Sequence, residues 1–543
     1  MKNIHIKQTF LLMLVAFLWT SCSDILDVAP EDQITKENFY KSENDFKAAT
    51  APLYNKVWFD FNDKFYYGLG DGRAYNLYAP FSDYIYPFAD LTETGLTGPL
   101  VSAWGSLYNV IQQSNNVIIG ISGSTVDETI KKKYIAEARF MRGTAYWYLA
   151  SLWGDAIIST DPIALVQNPI VNKSPRKDVF EFAMRDIEYA AKNLPATAGQ
   201  AGRLTKYAAY GMLSRLYLSY AGLSDNPNSG TRNQEYLDLA KKAAEKAINE
   251  GPYVLLEDYT DLFKVDKNNN SESMFALQWV PNGDYGVNNS QQAYFALGSD
   301  ITGDDAAYGY WTRASNDILY EYETKDIRRK ATWMADGDFY SEINIANGGY
   351  TVDHDNTFVN VKKGVVGSTK DNAKISKQNS ALNTYMLRLG EVYLNYAEAV
   401  LGNNANTTDA TALLYVNKLR LRANVDIKNS LTYADIIHER RVELCMEGQF
   451  WYDLVRRSYY KQQEVINYIT GQSRGTIVPI TYDAATNTVS VDATRDNTAR
   501  PVGVIDESIF LMPYPESEVI QNPLLNEAPV PYQFTEERIT DLF

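Results

Sequence analysis

Apolar residues at helical spacing run through much of the first half of the chain, and no other feature constrains the fold as strongly. Ala138, Met141, Ala145, Tyr148, Leu149 and Leu152 share one face of a 3.6-residue period, behind a polar face of Glu137, Arg139 and Arg142. Ser174-Pro175 predicts an N-cap and an N1 proline ahead of Val179, Ala183, Ile187, Ala190 and Leu194. Residues 205–221 repeat the pattern with Ala209, Met212, Leu213, Leu216 and Tyr220, and Gly211 is placed for close approach of a neighbour. Residues 234–250 follow with Tyr236, Ala240, Ala243, Ala244 and Ala247, closed by Gly251-Pro252. Each stripe has to be buried against another element, so consecutive stripes predict stacked helices.

Ala240, Ala244, Ala247 and Pro252 stand at the small-residue and terminating-proline spacings of the second helix of a tetratricopeptide pair, and Leu389-Gly390 with Tyr393 matches the first. Insertions break the period. The expectation is a mainly α fold: a tetratricopeptide-like helical scaffold with a loop-rich insertion and short β hairpins, not a regular solenoid. Helical repeats are expected mainly over 30–250 and 385–460. Residues 255–380 are rich in Gly, Asn, Asp and aromatics and predict loops and short strands. Within 470–510, Thr476–Thr481 and Val489–Val491 flank a polar Asp483–Thr488 turn and predict a small hairpin. At 543 residues, 45% apolar and 22% charged, the chain has the composition of a well-packed globular protein, and with no Pro/Ser/Gly-rich linker 22–543 is expected to be one domain. Forty Tyr, nine Trp and 21 Phe exceed what a core of this size needs, which points to aromatics on a binding surface.

At the N-terminus, Lys2 and Lys7 precede an apolar run from Phe10 to Trp19, too short for a membrane span and suited to a secretory signal. Thr20-Ser21-Cys22 then looks like a lipoprotein cleavage site, so 1–21 is expected to be a signal peptide and Cys22 the site of lipid attachment. Removing 1–21 takes away two lysines and no acid, moving the net charge from −16 to −18 and disfavouring nucleic acid as a partner. With Cys22 lipidated, Cys445 has no partner, and an exported chain would be held by packing without disulfides.

Charged residues over 432–457 invite a catalytic interpretation. Thr432 and Asp435 fit a capping box, Arg440 and Glu443 stand at i,i+3, and Glu443 and Glu447 lie four apart on one face. Charges paired on helices are far more often structural than catalytic, and no catalytic residue is assigned. His354 and His438 are the histidines of the mature chain, too few for a His-based metal site. Asp266, Asn268 and Asn270 imitate a calcium loop, but Ser271 and Leu277 stand where it needs Gly and Glu. Carboxylate-only glycoside cleavage is not indicated by any motif.

Ordered blocks along the chain resemble the SusD/RagB family. They are Cys22 with Leu26–Pro30, Trp104–Asn115 (WGSLYNVIQQSN), Ala136–Asp155, Gly202–Leu218, Arg388–Ala399, Glu439–Arg456 (ERRVELCMEGQFWYDLVR), and Pro513–Pro515 with Asn522-Pro523. The resemblance implies a tetratricopeptide-like scaffold tethered by lipid to the outer membrane surface. It also implies a SusC-like TonB-dependent transporter as partner and glycan (in some branches peptide) as ligand; no cofactor is assigned. It places ligand contacts in the segment before Trp104 and in the middle insertion: here Arg73, Tyr75, Asn76 and Tyr78, then Trp279, Tyr285, Asn288, Tyr294, Tyr310, Trp311 and Trp333. About half of these are expected to be core aromatics or loop anchors instead. Trp311 is the single strongest candidate, because Gly309-Tyr310-Trp311 follows an acidic, Gly-containing loop where a bulky ring is hard to bury. Glycan capture accounts for these features together. Peptide capture on the same scaffold and a carboxylate-dependent glycoside hydrolase are the alternatives.

Overall fold

The computed structural model describes residues 39–281, 285–303, 307–353, 357–376, 379–492, 494 and 498–543. The expected signal peptide, Cys22, Leu26–Pro30 and His354 lie outside them.

The apolar stripes become helices packed in sequence order. After a short helix α1 (Glu43–Thr50) come α2 (Gly98–Ser122), α3 (Glu128–Leu152), α4 (Arg176–Asn193), α5 (Lys206–Ala221) and α6 (Gln234–Asn249). After the loop-rich stretch come α7 (Leu389–Leu401), α8 (Ala410–Arg422), α9 (Tyr433–Glu443) and α10 (Phe450–Thr470). Each of α2 to α6 packs on its successor, α6 meets α7, and α7 meets both α8 and α9, so the series continues across the insertion. Helix α3 is the buried spine: Ala138, Met141, Ala145, Tyr148 and Leu149 are fully enclosed, and so are Ala240, Ala243, Ala244 and Ala247 of α6. Burying such side chains is worth about 1.5–3 kcal/mol for each large aliphatic or aromatic. Gly211 permits a close approach, as expected. A Cβ there would stand 2.9 Å from Met274 Cε, 3.0 Å from Leu387 Cδ2 and 3.2 Å from Val392 Cγ2, so its neighbours are a strand pair and α7 together.

Two local expectations are corrected. Ser174 does not cap α4: the N-cap is Pro175, and the Arg176 N–H donates to Asp155 Oδ1 at 2.8 Å, so the cap comes from a carboxylate 21 residues upstream. Arg440 and Glu443 do not pair with each other either. Arg440 Nε donates to Asp453 Oδ2 at 2.8 Å and Nη1 to Asn395 Oδ1 at 2.7 Å. Glu443, fully enclosed, accepts from Arg388 Nη1 at 2.7 Å and Arg328 Nη1 at 3.0 Å, with Arg422 also against it. Burial alone would raise the Glu443 pKa, but Arg422, Arg388 and Arg328 outweigh it and hold the carboxyl well below the usual range. Glu447 joins the same knot through Arg388 and Lys363, and Glu439 through Arg328 and Arg420. Each of these acids is ion-paired to protein cations. The capping box is present as expected, with Thr432 and Asp435 bonding reciprocally.

Short strands organise the insertion. β2 (Ser273–Leu277) pairs antiparallel with β6 (Thr384–Arg388) against α5. A four-stranded sheet has the order β1 (Leu77–Tyr78), β3 (Arg313–Ala314), β5 (Asn360–Val361), β4 (Trp333–Met334), with Tyr78 opposite Arg313 and Arg313 opposite Asn360. It carries its own core of Leu77, Ala314, Ile318, Trp333 and Val361. The hairpin joins β7 (Ile480–Asp483) to β8 (Thr488–Val491), a register shorter at its start than expected, because Thr476-Ile477 pairs instead with Thr498-Ala499.

Candidate functional site

The turn Gly309–Trp311 sits just before β3, and main-chain contacts fix it in place. Tyr308 N–H donates to Ala293 O at 2.7 Å and Gly309 N–H to Ala296 O at 2.9 Å. At Gly309 a Cβ would lie 2.2 Å from the carbonyl carbon of Phe295, so only glycine lets the turn approach this closely. From the other side the amide of Asn360, buried on β5, donates to Gly309 O at 3.0 Å and Tyr310 O at 2.8 Å. The backbone is clamped while the two following side chains point outward.

Those side chains belong to an exposed aromatic cluster. Tyr310 and Trp311 are 43% and 42% exposed, and Phe81 is 74% exposed. The Trp311 ring packs edge-to-face against Phe81 (5.4 Å between centroids) and Tyr310 (5.1 Å), with Phe358 at 5.9 Å. Edge-to-face packing, with Phe81 and Tyr310 each at 83° to Trp311, fixes ring orientation and leaves ring surface open to a ligand. Phe81 reaches the cluster because its segment is tied to β3, where Ser315 N–H donates to Asn76 O at 3.0 Å. Below the rings, the Arg313 guanidinium lies 4.3 Å from the Phe358 centroid and 5.9 Å from that of Trp311.

The structure thus brings two of the expected ligand residues together, Tyr310 and Trp311. Tyr285 and Tyr294 lie apart: Tyr285 is exposed, its ring against Phe59 and its hydroxyl donating to Asp63 Oδ2 at 3.0 Å, and half-buried Tyr294 faces Tyr67. The other expected residues are buried, and most of them bond within the fold. Arg73 is spent on Ile509 O (2.6 Å) and Glu93, and Tyr75 on Ser473 O (3.1 Å). Asn76 bonds Asp71 (3.2 Å) and Arg441 (2.9 Å). The indole of Trp279 donates to Thr384 Oγ1 (3.0 Å) and that of Trp333 to Tyr322 Oη (3.1 Å). Tyr78 and Asn288 are enclosed as well. A segment rich in Arg, Tyr and Asn resembles a ligand loop in sequence, yet here Arg73, Tyr75 and Asn76 bond carbonyls and charged side chains, most of them from distant segments. Sequence reasoning missed Phe81, Phe358, Asn360 and Arg313.

Among the described residues no group of three or more His, Cys, Asp or Glu could hold a metal ion, and no helix is long and apolar enough to cross a membrane. The profile of the SusD family matches residues 224–530. A second profile, described as starch-binding associating with outer membrane, matches residues 89–218. A SusD-like protein of Bacteroides ovatus is 40% identical over 98% of this chain and 100% of its own length.

The chain belongs to the SusD family.

A solved structure containing a xylogluco-oligosaccharide is similar at 40% identity, with a TM-score of 0.84 over 90% of this chain and 100% of that one. The starch-binding protein SusD of Bacteroides thetaiotaomicron is 22% identical over 69% of this chain and 73% of its own length. As a SusD family member the chain shares the mainly α architecture of these proteins, and its family is one of carbohydrate-binding proteins associated with the outer membrane.

Proposed function

We propose that this SusD family protein captures a glycan on the Phe81–Tyr310–Trp311 platform at the cell surface, where the lipid on Cys22 tethers it. It then delivers the glycan to a SusC-like TonB-dependent transporter. The observation that carries this reading is the platform itself: Tyr310 and Trp311, open to solvent on a turn that Gly309 and Asn360 hold, with exposed Phe81 packed against Trp311 from a distant segment. Exposed aromatic clusters mark interaction sites, and the open face of one indole beside a polar donor matches the C–H face and hydroxyl rim of a pyranose. The relative solved with a xylogluco-oligosaccharide makes xyloglucan fragments the first ligands to try. Glu443 and Glu447, the acids whose spacing invited a catalytic interpretation, are buried and ion-paired, which favours capture over cleavage.

Calorimetric titration of the protein starting after Cys22, against xyloglucan fragments, other plant, host and microbial glycans and peptide digests, tests this reading, with product analysis on the same samples. Saturable glycan binding that falls about ten- to a hundredfold in Trp311→Ala, with no products, is the expected result. Binding to peptides alone, or release of cleaved sugar, overturns it. For the tether, Cys22→Ala is expected to release folded protein from the membrane fraction.

A further inference from the structure

Arg313 is anomalous in this molecule. Its side chain is only 9% exposed, yet among the described residues no carboxylate, carbonyl or hydroxyl bonds to its guanidinium. Other buried arginines are paired: Arg328, Arg388, Arg420, Arg422, Arg440 and Arg456 each hold at least one carboxylate. Arg474, which has no ion pair, is satisfied by the carbonyls of Ala89 and Arg73. Arg313 has only ring faces, those of Phe358 and Trp311. Burial pulls its pKa down, and the hydroxyls of Tyr78, Tyr75 and Tyr310 only partly oppose this. Its cross-strand partner Tyr78 also has a buried hydroxyl with no hydrogen-bond partner. Among the described residues neither the Arg313 guanidinium nor the Tyr78 hydroxyl bonds a protein acceptor or donor, and the two are adjacent on one sheet beside one aromatic cluster, where the hydroxyls of a ligand would pair with them.

We propose that Arg313 is the specificity-determining donor of the platform, its guanidinium fork donating to two adjacent hydroxyls of a neutral sugar ring that stacks on the Trp311 face. The inference rests on the glycan-capture reading above. A carboxylate would also fit the fork, but a chain of net charge −16 repels polyanionic glycans, so the acceptors are assigned to neutral hydroxyls. Cation–π contact with two rings keeps the guanidinium tolerable when the site is empty and orients its edge away from them. Substrate discrimination follows from the same arrangement. A sugar that stacks but lacks one of the two hydroxyls leaves a buried donor unpaired, and is rejected more strongly than loss of one ordinary contact would predict.

The test has a ligand-free and a ligand-bound arm. Without ligand, Arg313→Met removes an unpaired buried charge while keeping the stem, so the melting temperature is expected to stay level or rise; a clear fall would mean that Arg313 serves the fold and overturns the proposal. With xylogluco-oligosaccharide as probe, the same variant is expected to bind about ten- to a hundredfold more weakly. Arg313→Lys, which keeps the charge and loses the fork, should recover only part of this. A cycle with probes lacking single hydroxyls is decisive: a deletion that weakens binding to the wild type should weaken it no further in Arg313→Met. Equal penalties in both proteins would mean that Arg313 only supports the rings. Wild-type protein that binds none of the glycans of the panel would instead remove the capture reading, and this inference with it.

Discussion

The knot around Glu443 and the platform around Trp311 treat charge in opposite ways. In the knot, four glutamates (Glu272, Glu439, Glu443 and Glu447) face Arg328, Arg388, Arg420, Arg422 and Lys363 in a space sealed from solvent. At the platform, apolar rings are left in water and one buried guanidinium has no carboxylate partner among the described residues. A sealed, saturated network specifies how the elements meet and has no capacity for anything else. Unsaturated groups at a surface are the ones that can take up a partner. Between these two regions ion pairing, more than residue type, marks the difference, since Arg, Tyr and Trp are abundant in the whole chain.

The largest expected effect breaks the knot. Glu443→Gln leaves Arg388, Arg328 and Arg422 short of an anion, and about 3–5 kcal/mol of stability is expected to be lost in urea unfolding; a loss under 1 kcal/mol would show that the knot is redundant. Acid titration probes the same region next. Arg456, Arg232 and Arg440 outweigh burial and hold the Glu398 pKa at about 2. Its folded-state pKa is therefore below the unfolded value, so the contribution is complete at neutral pH and is lost as pH falls from roughly 4.3 towards 2. Glu398→Gln should flatten that part of the stability profile.

The platform should respond in binding and not in folding. Trp311→Ala is expected to weaken glycan binding about ten- to a hundredfold while changing stability by less than about 1 kcal/mol. Asn360→Ala releases the Gly309 and Tyr310 carbonyls. It is expected to lower affinity several-fold and stability by about 1–2 kcal/mol, a mixed signature fitting a residue that joins scaffold to site. Tyr285→Phe is the smallest change, removing one hydrogen bond to Asp63 on a separate patch; about 0.5–1 kcal/mol of stability and no glycan affinity should be lost.

The helical part of this contrast was legible because a 3.6-residue period records which face is buried, and Ala138 through Leu152 and Ala240 through Ala247 carry that record in consecutive residues. The platform left no such trace. Phe81 meets Trp311 across 230 positions through strands two residues long, and a two-residue strand has no period to read. Trp311 was recognisable from its exposed loop context, whereas Arg73, Asn76 and Trp333 have the composition of a sugar site and the surroundings of a core. The Asp155 cap of α4 shows the same limit: the local Ser-Pro signal was present, and a carboxylate from elsewhere in the chain did the capping.

The clamp on residues 309–311 has a further consequence for how such proteins diversify. Gly309 is located by its lack of a side chain and Asn360 grips only carbonyl oxygens, so nothing that positions the turn depends on which residues stand at 310 and 311. Those two positions behave like an interchangeable tool head on a fixed mount. A lineage meeting a new polysaccharide could exchange the head by single substitutions, each tested by selection for its grip alone, without renegotiating the stability of the helices behind it.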